Sequence, residues 1–165
     1  MIGNDIIDLA LARKESNWQR KGFLDKIFTK NEQLMILNSI NPEVMVWNLW
    51  SRKEAAYKIY NRQTGIRGYF PLQLECSDLK IRNQIIFGKV SIKDNVYFTK
   101  TVITKQFVNT ISLEKIDDFN AIKQLNNREG IIKINGIPNC FGKCNLASRP
   151  VSISHHGEFE QIISI

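Results

Sequence analysis

The feature that most narrows the fold is a change of hydrophobic period near Thr64. Before it, LALARKESNWQRK, KNEQLMILNSI and PEVMVWNLWSRKEAAYKIYNR, between residues 9 and 62, repeat their apolar side chains at helical spacing. Thr29 followed by Glu32 has the pattern of a capping box, and Asn41-Pro42 marks the entry to the third helix. After Thr64 the chain turns to short β-prone runs: YFPLQLECS, QIIFGKVSI, NVYFTKTVIT, QFVNTISL, GIIKING, RPVSISHH and FEQIISI. One helical piece around DFNAIKQLNNRE interrupts them. Helices first and strands later predict an α+β fold, with an N-terminal strand and the helices packed on one face of an antiparallel β-sheet. No repeat, low-complexity tract or Pro/Gly/Ser-rich linker divides the chain, which predicts a single domain over residues 1–165.

A chain of 165 residues that is 43% hydrophobic and 24% charged can bury one sizeable core. No run reaches membrane-spanning length, and MIGNDIIDLALARKES lacks the basic-then-apolar pattern of a leader, so the expectation is a cytoplasmic protein with no membrane partner. Cys76, Cys140 and Cys144 are too few for a disulfide framework and read as plain thiols. The net charge of +7 favours an anionic partner, whether nucleic acid, acidic protein or phosphorylated small molecule. The basic residues are scattered and form no recognised motif, which weakens the nucleic-acid reading.

Three stretches carry candidate chemistry. In IGNDIIDL an extended chain puts Asp5 on one face with Gly3, Ile7 and Leu9, a costly place for a carboxylate unless a cation, metal or donor pairs with it. The alternative puts Asp5 in a turn or beside a lysine, with Asp8 capping the following helix. In WSRKEAAYKIY, Trp50, Glu54 and Lys58 recur every four residues and form one helical stripe. That stripe is either a surface ion pair worth about 0.3–0.5 kcal/mol or part of a site on a largely apolar helix. In VSISHHGEF, alternation sets Val151, Ile153 and His155 on one face and Ser152, Ser154 and His156 on the other. His155 could meet a phosphate there or simply end a strand. A zinc site from Cys140, Cys144 and the His155-His156 pair is a lesser alternative.

Together and in this order the segments resemble the 4'-phosphopantetheinyl transferase superfamily, in its short holo-acyl-carrier-protein synthase branch. Gly3-Asn4-Asp5-Ile6-Ile7-Asp8-Leu9 looks like the family's opening motif, and Phe28-Thr29-Lys30-Asn31-Glu32 is similar to its Phe-Thr-x-x-Glu segment. Trp50, Lys53, Glu54, Ala55 and Lys58 match its Trp-x-x-Lys-Glu-Ala-x-x-Lys motif in full. Gly136-Ile137-Pro138 and Ser152-Ile153-Ser154-His155 are similar to its Gly-x-Pro turn and Ser-x-Ser-His segment. Asp8 is shorter than the family's usual Glu, Ile137 replaces a basic residue, and the stretch 67–130 is longer than in compact members.

The resemblance implies an enzyme that moves the 4'-phosphopantetheine arm of coenzyme A onto a serine of an apo-acyl or peptidyl carrier protein, releasing adenosine 3',5'-bisphosphate. It implies Mg²⁺ held by Asp5 and Glu54, with Glu54 and Lys58 catalytic. Lys53, Lys58, Pro138, Ser154 and His155 would contact the coenzyme. It also implies an acidic carrier as partner and a homotrimer in which Asp5 and Glu54 of one subunit face Ser154 and His155 of the next. The competing readings are a basic β-rich module that binds single-stranded nucleic acid on exposed aromatics, and an inactive member of the same fold.

Overall fold

The computed structural model describes residues 1–141 and 148–165. β1 (Ile2–Asp8) leads into α1 (Leu9–Glu15), α2 (Phe23–Ile27), α3 (Lys30–Leu37) and the long α4 (Pro42–Thr64). Four strands follow as antiparallel hairpins: β2 (Glu75–Arg82), β3 (Ile85–Ile92), β4 (Asn95–Ile103) and β5 (Phe107–Leu113). A 3-10 turn at Ile116–Ala121 then precedes β6 (Lys123–Leu125), β7 (Ile131–Ile134), β8 (Ile137–Phe141), β9 (Ser148–His156) and β10 (Phe159–Ser164). The strands make two five-stranded sheets, ordered β1-β5-β4-β3-β2 and β6-β10-β9-β8-β7. The fold is α+β, as the change of period predicts, with α4 packed on the first sheet.

The helix boundaries follow local chemistry. The Thr29 hydroxyl accepts from the Glu32 backbone N–H while the Glu32 carboxylate accepts from the Thr29 N–H, the reciprocal pair that opens α3. Asn41 Oδ1 accepts from Val44 N at 3.1 Å, Pro42 fills the first turn of α4, and Gly65 in the left-handed region (φ 70°) ends it. The first helix stops at Glu15 rather than running to Lys21, because Asn17 folds its side chain onto the Gln19 N–H in a turn of its own.

Two expectations change. The segment around DFNAIKQLNNRE is helical only at its start, as the 3-10 helix Ile116–Ala121, and continues as β6, because Phe119 and Ile122 are drawn into a small core with Ile2, Leu113 and Ile163. The strands also divide between two sheets, since β1 takes β5 as neighbour, Asp5 standing opposite Thr110, and leaves its other edge to β9. The main core gathers Leu9, Phe28, Ile36, Trp47, Leu49, Ile59, Val90 and Tyr97 between α4 and the first sheet. Arg52 is fully buried there without a carboxylate, donating instead to Asn48 Oδ1, Ile86 O and Thr99 Oγ1, and burial pushes its pKa down to about 10.

One close approach sets the geometry of everything below. A Cβ added at Gly3 would stand 2.0 Å from the carbonyl oxygen of Ala55, so only glycine lets β1 lie against the backbone of α4 at this height. Asp5 lies two residues on and Glu54 beside Ala55, so the contact that excludes a side chain is also the one that brings the two carboxyls together.

Candidate active site

The site is built where β1, α4 and β9 converge. Asp5 extends from β1 with its side chain 15% exposed, and its Oδ1 accepts from Ser154 Oγ at 3.1 Å. Lys58 Nζ stands 4.0 Å from the same oxygen and donates to Asn4 O at 2.6 Å and Ile153 O at 3.2 Å, so it ties β1 to β9. Glu54, one turn earlier on α4, is half-buried beside Tyr69, whose ring packs edge-on against Trp50 at 5.6 Å and Tyr57 at 5.3 Å. The stripe Trp50-Glu54-Lys58 is therefore a half-buried face of α4 turned toward Tyr69 and β1, and not a solvated surface ion pair.

Electrostatics single out the same three groups. Burial pushes the Asp5 carboxyl up to about 6, against the pull of Lys58 and the Ser154 hydroxyl. Burial and then the charge of Asp5 push Glu54 up to about 7, against Lys58 and Tyr69. Burial lowers Lys58, opposed by both carboxylates. Two acids share one cation in a desolvated place.

That imbalance is the observation against which the implied metal is tested. Among the described residues no cluster of three or more His, Cys, Asp or Glu side chains converges on one point, so a cation at Asp5 and Glu54 would complete its shell with water and substrate oxygens. Mg²⁺ is bound in that manner by one or two carboxylates, and the donor set fits it. For the zinc alternative, Cys144 lies outside the described residues; Cys140 is half-buried.

The raised pKa of Glu54 carries a stability consequence with a definite sign. The folded chain holds a proton on Glu54 that the unfolded chain, titrating near 4.5, gives up, so this contribution is full below about 4.5 and lost as pH rises through about 7. Glu54→Gln removes the penalty. It should stabilise the metal-free chain by on the order of 2 kcal/mol more at pH 8 than at pH 5, read from denaturant midpoints at the two pH values. An equal effect at both would show that Glu54 titrates normally.

Beside the acids lies a cavity of about 340 Å³, lined by Lys58, Arg62, Lys133, Pro138 and His155 among others. Its walls are basic and its mouth carries the exposed His155 ring. Arg62 donates to Pro138 O at 3.0 Å and Val151 O at 2.7 Å, clasping β8 and β9 to α4. The type I′ turn Asn135-Gly136, with φ of 50° and 79°, delivers Pro138 to this wall. Sequence reasoning missed Arg62, although it continues the stripe one further turn beyond Lys58.

Two of the residues that the resemblance assigns to the coenzyme do not line this cavity. Lys53 is 0% exposed, its Nζ 2.6 Å from Glu32 Oε2 and donating to Ile27 O and Pro71 O at 2.8 Å each. Glu32 also accepts from Cys76 N at 2.8 Å, so the pair joins α2, α3, α4 and β2 and lines no part of the cavity. The physical reason is the partner: Lys53 turns into the core, where the Glu32 carboxylate and two backbone carbonyls take its ammonium, while Glu54 faces Tyr69. Lys53→Met leaves Glu32 buried without its cation and should destabilise the chain by about 3–5 kcal/mol, visible as a lowered urea midpoint; a midpoint unchanged from wild type would remove the pair's structural role.

Ser154 is the other. Its Oγ accepts from Ile6 N at 2.9 Å and donates to Asp5 at 3.1 Å within the chain, so it orients the acid and does not line the cavity. As for stacking on nucleic acid, Phe70 is the single aromatic among the exposed large hydrophobic side chains of the described residues, while Trp47, Tyr60 and Tyr97 are buried.

With this geometry in hand, the comparison with known proteins is direct. A family model described as the 4'-phosphopantetheinyl transferase superfamily matches residues 1–112, which contain Gly3, Asp5, Glu54 and Lys58. A holo-[acyl-carrier-protein] synthase of Protochlamydia amoebophila (strain UWE25) is 41% identical over 59 residues, covering 34% of this chain and 47% of the relative. The chain thus aligns with about half the length of that curated relative. The model match takes in 112 of the 165 residues and the two acids and lysine that the fold brings together, and on that ground the chain belongs to the 4'-phosphopantetheinyl transferase superfamily.

Proposed function

We propose that this chain transfers the 4'-phosphopantetheine group of coenzyme A to a serine hydroxyl of an acidic apo-carrier protein, with Mg²⁺, releasing adenosine 3',5'-bisphosphate. The observation that carries the proposal is the juxtaposition of a desolvated Asp5-Glu54 pair with a basic cavity that shares Lys58 with it. A coenzyme presents a pyrophosphate and a 3'-phosphate, and a cavity lined by Lys58, Arg62, Lys133 and His155 suits such a charge. The net charge of +7 would steer an acidic carrier toward the same molecule.

In the reaction the carrier serine oxygen attacks the phosphorus that bears the pantetheine arm, and the bond from that phosphorus to the bridging oxygen breaks. Glu54, poised near neutrality, takes the serine proton on a carboxylate oxygen. Lys58 meets the charge that develops on the leaving phosphate. Asp5, held by Ser154, and Glu54 would hold Mg²⁺, which when bound neutralises charge on the pyrophosphate oxygens. His155 and the Pro138 wall are assigned to the adenosine and 3'-phosphate end. A homotrimer with the site at the subunit interface belongs to the same proposal.

Titration calorimetry tests the binding half. Coenzyme A should bind, and Arg62→Met should weaken it by about tenfold or more, the loss expected when a charged donor is removed. Equal affinity of coenzyme A for both proteins would take the cavity out of the proposal.

A further inference from the structure

The free edge of β1 is not paired with another strand's backbone. Asn4 N donates to Ser152 Oγ at 2.9 Å, Ile6 N to Ser154 Oγ at 2.9 Å, and Asp8 N to His156 Nδ1 at 2.8 Å. The three donors are alternate residues of β1 and the three acceptors alternate residues of β9, each separated from its partner by the same 148 positions. An edge strand ordinarily leaves these N–H groups to water or to another chain. Here the side chains of Ser152, Ser154 and His156 satisfy them, while Ile153 and His155 from the other face of β9, with Ser152 beside them, border the basic cavity.

His156 is the rung that neither the family-like motif nor the proposed chemistry uses. Because its Nδ1 accepts, the ring proton sits on Nε2, 3.5 Å from Glu15 Oε2. The turn after it is built to the same end. Gly157 has φ of 58°, a Cβ there would stand 2.2 Å from Asp8 Oδ2, and Glu158 N donates to that oxygen at 3.3 Å. Asp8 Oδ1 meanwhile caps α1 through Ala10 N and Leu11 N. The end of β1 is thus fixed by His156 from one side and by the start of α1 from the other, with Asp5 three residues upstream.

We propose that His156 is a positioning residue for Asp5, acting through β1 together with Ser152 and Ser154. The proposal rests on the transferase reading for its catalytic consequence, but not for the ladder itself. It assigns to His156 a role in holding the register of an edge strand.

The test uses three variants of the full chain. His156→Asn keeps an acceptor oxygen where Nδ1 stands, His156→Gln moves it to the Nε2 position, and His156→Leu removes it. Amide exchange at Asp8 and Ile6, read by NMR on ¹⁵N-labelled protein, should accelerate in the Leu and Gln variants and return to wild type in the Asn variant. Mn²⁺ affinity, followed by paramagnetic broadening, should fall about 10–100-fold in Leu and Gln and recover in Asn, as for other residues that orient a metal ligand from behind. Unchanged Asp8 exchange in His156→Leu, or an Asn variant no better than Gln, would overturn the positioning role. The exchange readout does not depend on any reaction, so a chain that proves to have no transferase activity leaves it intact.

Discussion

Glu54→Gln is expected to reduce Mg²⁺-dependent transfer by about 10²–10⁴-fold, the range for loss of a general base, while the circular dichroism spectrum stays that of wild type. The expectation follows from position and environment together. Glu54 lies on the half-buried stripe of α4, shares its desolvated surroundings with Asp5, and is held near neutrality by burial, so the amide removes both the proton acceptor and a metal ligand. Gln is close to isosteric, and at neutral pH it relieves repulsion with Asp5, so the fold should tolerate it. Retention of more than about a tenth of wild-type kcat would remove Glu54 from the chemistry, because a loss below tenfold is under 1.4 kcal/mol of barrier.

Gly3→Ala should have the second largest effect, for a reason that has nothing to do with charge. The new methyl would sit 2.0 Å from the Ala55 carbonyl oxygen, a backbone atom that no rotamer change can move aside. Either β1 or α4 must retreat, and the hydrogen bond from Lys58 to Asn4 O must stretch with it. Overpacking of this kind costs about 1–3 kcal/mol, and a shift of about 1 Å between reacting groups costs about 10²-fold in rate. A matched pair of denaturation curves and kcat values would check it. An alanine variant with wild-type activity would show that the β1 to α4 contact is not what aligns the acids.

The sequence revealed what is local. Thr29-Glu32 and Asn41-Pro42 specify helix starts through side chains within three residues of the backbone groups they satisfy. The period of four in Trp50, Glu54 and Lys58 predicted a common face, and the alternation in VSISHH separated His155 from Ser154 correctly. What escaped was non-local. Nothing near IGNDIID announces that its partner is FVNTISL, far along the chain at Phe107–Leu113, or that its other edge will be met by serine and histidine side chains. Lys53 and Ser154 were assigned to the coenzyme because they match the family's motifs, and a motif match does not say which partner a side chain takes: Lys53 turns to Glu32 in the core and Ser154 to Asp5 and the Ile6 N–H. Arg62 was recoverable by extending the stripe one more turn.

The most direct test of the account is chemical. The chain, coenzyme A and Mg²⁺ are incubated with apo-carrier proteins from the same organism, and each carrier is weighed intact by mass spectrometry before and after. The account predicts that a carrier gains one phosphopantetheine group on its serine, that the gain disappears with chelator, and that it disappears with the Glu54→Gln chain. No gain on any carrier, with coenzyme A and Mg²⁺ in excess, would contradict it.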